Sequence, residues 1–296
     1  MTEYLLHITI ISGLYIILTL SLNLIIGYCG QVSLGHAAFY GLGAYTSALL
    51  TIHWQVPFFL ALPTAAVIAA LFGLGLGIPT LRLKDDYLAI VTLGFGVIVD
   101  LILLNLELTG GPDGLARIPP PRLAGIDFRN KVYYLLLVAA VVAFTLGLIY
   151  RLVHSCHGRA LKAIRDHEIT ARVMGINASA YKISIFTLAA GLAGLAGSLY
   201  AHYITFINPE SFGLHTSILV LTMVVLGGMG SILGSVVGAG VLTILPELFR
   251  RFADYQDVAY GAMLIALLIW RPQGLLGSGK ISQKFSLSKN RAKKER

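Results

Sequence analysis

The 296-residue chain is 56% hydrophobic and only 12% charged, with a mean hydropathy of +0.79, a balance that soluble domains of this length do not reach. It excludes a soluble enzyme and predicts an all-α, polytopic integral membrane helix bundle, because each crossing helix needs about 20 mainly apolar residues. The net charge of +8 does not indicate nucleic acid, since no aromatic-interleaved basic face accompanies it.

Apolar runs fall at 4–26, 33–52, 57–78, 87–106, 132–152, 182–203, 211–226, 234–249 and 257–270, which predicts about nine spans. The first run is too long for the apolar core of a cleaved signal and follows no Lys or Arg, so it reads as a span. Eight of the 22 basic residues lie from Arg271 onward and six between Arg151 and Lys182. Such clusters beside apolar runs mark the cytoplasmic side. Alternation then places the N-terminus outside and the C-terminus inside, with Cys29 and Cys156 both on the reducing face, where no disulfide is expected. Residues 1–276 are expected to form the transmembrane domain. Residues 277–296 are expected to be a disordered basic tail lying against membrane lipid, at about 1 kcal/mol per basic residue near anionic headgroups.

Two Gly-rich stretches interrupt apolar runs: "GYCGQVSLGHAAFYGLGAY" (27–45) and "LGGMGSILGSVVGAG" (226–240). Glycines placed so predict discontinuous helices lining a substrate path, with Ser33, Gly35, His36, Gly227, Gly228 and Gly230 as path candidates. A half-helix N-terminus at such a break can receive a carboxylate. Asp100 joins them as the clearest acidic residue within an expected span, where a charge costs at least ~2.5 kcal/mol unless it faces a cavity or partner. In "AAGLAGLAGSLYA" (189–201) the small residues recur at helical spacing and predict a close packing face. The loop from 107 to 131 is Pro/Gly-rich and lands outside.

No cofactor or metal site is expected. "GLLGSGKI" (274–281) imitates a phosphate-binding loop, but Ile281 replaces the Ser or Thr that would hold Mg²⁺ and no strand precedes it. The histidines lack partners at ligand spacing. No nucleophile–base set for an intramembrane enzyme is present, and a gradient-driven transporter would hold paired ionisable groups where Asp100 stands alone.

The exception to this apolar chain is "HGRALKAIRDHEITARVMGIN" (157–177). Read as one helix over 159–175, it pairs Lys162 with Asp166 and Glu168 with Arg172 at i, i+4. A thin stripe of Ala160, Ala163, Ile164, Ala171 and Met174 is suited to a protein groove, and Gly175 stops the helix.

This segment resembles the cytoplasmic coupling segment of branched-chain amino acid ABC importer permeases, the LivH/LivM family, in its LivM branch. "GYCGQVSLGHAAFYGLGAY", "NPESFG" and "VVLGGMGSILGSVVGAG" resemble that family's other signatures, in the family's order. The resemblance implies a LivH-like second permease, two LivG/LivF-like ATPase subunits that use the ATP, and an extracytoplasmic amino-acid binding protein. It implies a bacterial or archaeal cytoplasmic membrane. It places ATPase coupling on Arg159, Lys162, Arg165, Asp166, Glu168, Ala171, Arg172 and Gly175 within the segment 153–181. Ala171 and Gly175 keep the Ala-to-Gly spacing of the importer pattern, whereas Glu168 is displaced by one residue. Urea and short-amide importers have similar permeases, so Leu, Ile and Val stand beside those substrates.

Overall fold

The computed structural model describes residues 2–80, 85–123, 126–248 and 274–276. Ten α-helices lie among them: α1 (Thr2–Asn23), α2 (His36–His53), α3 (Phe58–Thr80), α4 (Asp85–Asn105), α5 (Lys131–His154), α6 (Cys156–Asp166), α7 (Glu168–Val173), α8 (Ala178–Ile204), α9 (Leu214–Gly227) and α10 (Ile232–Leu248). The first eight expected runs each coincide with one of the long helices. Six helical segments among the described residues are long and apolar enough to cross a membrane: Glu3–Tyr28, Phe58–Pro79, Tyr87–Asn105, Lys131–His154, Ala178–Ile204 and Pro209–Gly227. The ninth run, on which the count of nine depends, and the basic tail lie outside the described residues.

The distribution of large apolar side chains explains the architecture. α3, α4 and α5 expose Leu60, Val67, Leu71, Ile90, Ile98, Leu136 and Phe144, a surface that water would penalise and hydrocarbon accepts. α1 and α8 bury Ile10, Leu14, Ile17, Phe186, Ala193 and Leu199 instead. α2 is enclosed as well, so its Gly, Ala, Ser and Tyr residues need not present an apolar face to lipid. The expected packing face on α8 is present. A Cβ added at Gly194 would stand 2.5 Å from the Cβ of Ala69, and one at Gly197 would strike the Tyr40 carbonyl oxygen. Small residues thus let α2 and α3 close onto α8.

The loop expected over 107–131 carries more local order than its composition predicts. Leu115–Ala116 pairs antiparallel with Phe206–Ile207, and Arg122–Leu123 pairs with Ile126–Asp127. The first pair fastens the loop to the α8–α9 connection at the end of the bundle remote from α6 and α7.

Both expected helix breaks are present. After α1 the chain makes one π-helical turn, Leu24–Tyr28, then stays non-helical until α2 begins at His36. α9 ends at Gly227, and the 228–231 turn leads into α10. Gly230 sits in that turn at φ +79°, a left-handed conformation that favours glycine.

Candidate functional site

The charged segment differs from its expected form in two ways. It is two helices rather than one, because His167 is extended (φ −153°, ψ 91°) between α6 and α7. Neither Gly nor Pro marks that kink. The apolar stripe also splits: Ala160, Ile164 and Ala171 are buried, and Ile164 and Ala171 cluster with Ala178 of this same chain. The kink permits this by turning Ala171 back onto the start of α8. The apolar surface left free is Ile169, Val173 and Met174, which are 81%, 81% and 77% exposed.

Polar contacts hold α7 in place. Glu168 accepts from Arg172 at 2.6 Å, as the i, i+4 spacing predicts, and from Lys182 of α8 at 2.9 Å. The Lys182 side chain is only 5% exposed, so the link crosses from surface to bundle. Burial pushes the Glu168 carboxyl up, but the hydrogen bonds and charges of Lys182 and Arg172 outweigh it and hold the group below the ordinary glutamate range. A depressed folded value means that the link contributes fully above the unfolded glutamate pKa of about 4.3 and is lost as pH falls through the lower folded value. A spin label at position 173 should therefore stay immobilised at neutral pH and loosen only in strong acid, whereas Lys182→Met should loosen it at neutral pH. Equal mobility in the variant and the parent would remove Glu168–Lys182 as the anchor. Gly175 ends the segment at φ +84°, its N–H donating to the Arg172 carbonyl at 3.0 Å. Asp166 lies 3.7 Å from its neighbour Arg165. Arg159 and Lys162 face outward.

Arg165 points into the bundle. Its guanidinium donates a hydrogen bond to the Gly27 carbonyl in the first break. A Cβ at Gly30 would stand 2.7 Å from the Arg165 Cγ, and one at Gly230 would stand 3.1 Å from its Nη1. Asn23 then ties the first break to the second: its Oδ1 accepts from Gly230 N–H at 2.8 Å, and its Nδ2 donates to the Ser231 carbonyl and Ser235 Oγ at 3.0 and 2.7 Å. The chain following the ninth run returns here as well, with the Leu275 and Leu276 amides donating to the Leu226 and Gly227 carbonyls at 2.8 and 3.0 Å. Segments far apart in sequence thus converge on one polar knot beneath α6.

The expected path residues divide between the two ends of the first break. Gly227, Gly228 and Gly230 belong to the knot. Ser33, Gly35 and His36 lie at the other end, against α4 and α9. There Leu34 N–H donates to Thr92 Oγ1 at 3.0 Å, Ala37 N–H donates to Ser217 Oγ at 3.0 Å, and His36 shares a 2.7 Å hydrogen bond with Ser21. Ser217 therefore occupies the α2 N-terminal amide that the sequence offered to a carboxylate. Asp100 lies on the face of α4 that also carries Thr92 and Gly96, eight and four residues before it, about 12 Å along the helix from Thr92. A seam runs between α2, α4 and α9 from Ser33 to Asp100. Sequence reasoning did not place Thr92, Ser217 or Tyr45 on it, because an isolated hydroxyl in an apolar run carries no directional signal.

Lipid-facing helices around a polar seam, with two helix breaks clasped by a charged segment, define a polytopic α-helical membrane protein built around a discontinuous centre. The family described as branched-chain amino acid transport system / permease component matches residues 4–268, and the chain belongs to that family. It is 42% identical to the high-affinity branched-chain amino acid transport system permease protein LivM of Salmonella typhimurium, over 91% of this chain and 69% of that protein, and equally similar to LivM of Escherichia coli. It is 26% identical to the permease protein LivH of Escherichia coli, over 92% of this chain and 94% of that protein.

Proposed function

We propose that this chain is the LivM-like permease subunit of an ATP-driven importer of branched-chain amino acids in a bacterial or archaeal cytoplasmic membrane. Its partners in this reading are a LivH-like permease, two LivG/LivF-like ATPase subunits and an extracytoplasmic binding protein. The two classes of named relatives support the substrate and the permease pair. ATP is consumed by the ATPases, and this chain supplies the passage. The charged segment faces the cytoplasm, and the Leu115–Ile207 pairing faces outside.

The observation that carries the reading is that one short segment presents an exposed apolar patch outward and an arginine inward. Ile169, Val173 and Met174 form a ridge suited to a groove on a soluble partner, while Arg165 is bonded to Gly27 in the paired breaks. Movement of the partner is then delivered to the breaks without passing through flexible chain. Closure of the ATPases on ATP shifts the segment as a rigid body, and the breaks change their relation to the seam.

The test is purification of the assembled complex in mild detergent, with Ile169, Val173 and Met174 changed together to Ser. Three lost apolar contacts at about 1.5 kcal/mol each weaken docking by about 4.5 kcal/mol, roughly two-thousandfold. The variant chain should insert and retain the second permease while losing both ATPases. Recovery of the unaltered chain alone, driving uptake in ATP-free vesicles under an ion gradient, would replace this reading with a secondary transporter.

A further inference from the structure

We infer that the corner formed by Asp100, Tyr45 and Glu210, at the end of the seam remote from α6 and α7, recognises the ammonium group of an amino acid and so separates zwitterions from neutral amides. This rests on the importer reading above and names the chemical feature of the substrate that this chain itself selects.

Unused hydrogen-bonding capacity is concentrated in the first break, α2 and α4. Seven buried side-chain atoms among the described residues have no hydrogen-bond partner in the protein, and five of them belong to Gln31, Ser33, His36, Tyr45 and Asp100. The other two, on Thr145 and Thr187, lie on α5 and α8. A seam that only packed helices together would have satisfied these groups, because an unpaired buried polar atom costs free energy. Spare capacity at Ser33, Tyr45 and Asp100, along the seam, is what a passage for a polar solute requires.

The end of that line carries negative charge and aromatic rings. Asp100 interacts electrostatically with both Tyr45 and Glu210, and none of the ion pairs among the described residues includes either carboxylate. Tyr45 is 2% exposed, yet its hydroxyl has no partner. Asp100 lies beside this turn: a Cβ at Gly213 would stand at an ordinary contact distance, 3.9 Å, from Asp100 Oδ2, and the Gly213 N–H donates to the Glu210 carbonyl at 3.3 Å. Phe212 completes the corner, its ring centroid 5.8 Å from Tyr45, 5.0 Å from Tyr40 and 6.0 Å from Tyr200.

An ammonium group matches this arrangement. It has three donors and no acceptor, which suits two carboxylates and a hydroxyl, and aromatic faces attract cations. A hard metal ion such as Ca²⁺ takes six or more oxygens, and the three oxygen-bearing side chains here do not approach that set. The aromatic wall also offers apolar surface to an aliphatic side chain beside the ammonium. Urea has no cationic group and would leave the buried oxygen of Asp100 uncompensated.

The test uses the complete importer in proteoliposomes, with ATP inside and binding protein outside, and compares Leu with urea. At equal amounts of assembled complex, Asp100→Asn should lower Leu uptake at least about tenfold, the loss expected for a hydrogen bond to a charged group. Asp100→Glu should restore part of it, and the Leu-to-urea ratio should collapse in the Asn variant. A wild-type complex that carries urea and not Leu would overturn the substrate reading, and this inference with it. Wild-type Leu uptake left unchanged by Asp100→Asn would overturn this inference alone. Dependence of wild-type uptake on external Na⁺ that vanishes in Asp100→Asn would assign the corner to a metal ion and also overturn it. Should Asp100→Asn fail to assemble, Tyr45→Phe removes one oxygen only. It should raise the KM for Leu several-fold with little change in maximal rate, and an unchanged KM would count against the proposal.

Discussion

Arg165→Glu abolishes uptake while the assembled complex continues to hydrolyse ATP. The expectation follows from where the side chain points. A segment contacting only a partner would place its cations outward, as Arg159 and Lys162 are placed, but Arg165 donates to the Gly27 carbonyl and lies against Gly30 and Gly230. Loss of that charge-assisted bond costs about 1.5–3 kcal/mol and leaves a part-buried carbonyl unpaired. Glutamate adds repulsion, because its carboxylate would face the same carbonyl oxygen. The docking patch on α7 is separate, anchored by Glu168 to Lys182, so ATPases should still bind and turn over. Arg165→Lys should restore little, since a point charge cannot reproduce the planar fork, and Lys162→Glu, on the outward face, should be mild. The measurement is amino acid imported per ATP hydrolysed in proteoliposomes. A normal ratio in Arg165→Glu would mean that work reaches the breaks by another route. Gly175→Pro should also uncouple, because proline cannot adopt φ +84° and lacks the N–H that bonds the Arg172 carbonyl.

What the sequence made legible was set by how local each signal is. Hydropathy located α1 to α5 and α8 to α10, because a span must satisfy its own backbone and show apolar side chains to lipid. Glycine placement located both breaks and the α8 packing face. The charge cluster singled out residues 157–177, but the pattern could not show which partner the apolar stripe meets. Ile164 and Ala171 turned out to meet Ala178 of their own chain, and the outward role fell to Ile169, Val173 and Met174, none but Met174 in the expected stripe. The kink at His167 had no compositional mark. Nor could spacing along the chain reveal that Arg165 reaches residue 27 or that Asn23 reaches residues 230, 231 and 235. Those contacts exist only once α1, α6 and α10 are assembled.

The contact between the two breaks sets the second large expectation, that Gly27→Ala eliminates transport. A methyl group at Gly27 would overlap Asn23 Oδ1 and the Gly230 backbone nitrogen, and would stand 2.8 Å from the Gly230 Cα. Two of these neighbours are backbone, so no rotamer change relieves the clash and the breaks must separate. Overpacking of this kind costs about 1–3 kcal/mol, and separation also strains the Asn23 bonds to Gly230, Ser231 and Ser235. Gly75→Ala and Gly94→Ala are matched controls: a Cβ at either position meets nothing within 4 Å. Each lies within a helix, where alanine is favoured over glycine by up to about 1 kcal/mol. Thermal unfolding of the purified complex should therefore shift down for Gly27→Ala and hold or rise for the controls, with uptake lost only in the first. The outcome also bears on how the cycle works. If the breaks part and rejoin during each turnover, a methyl that holds them apart stops the cycle in one state, and residual ATP hydrolysis should persist uncoupled. If Gly27→Ala transports normally, the breaks do not need to meet, and the polar knot beneath α6 is a feature of one conformation rather than a working joint.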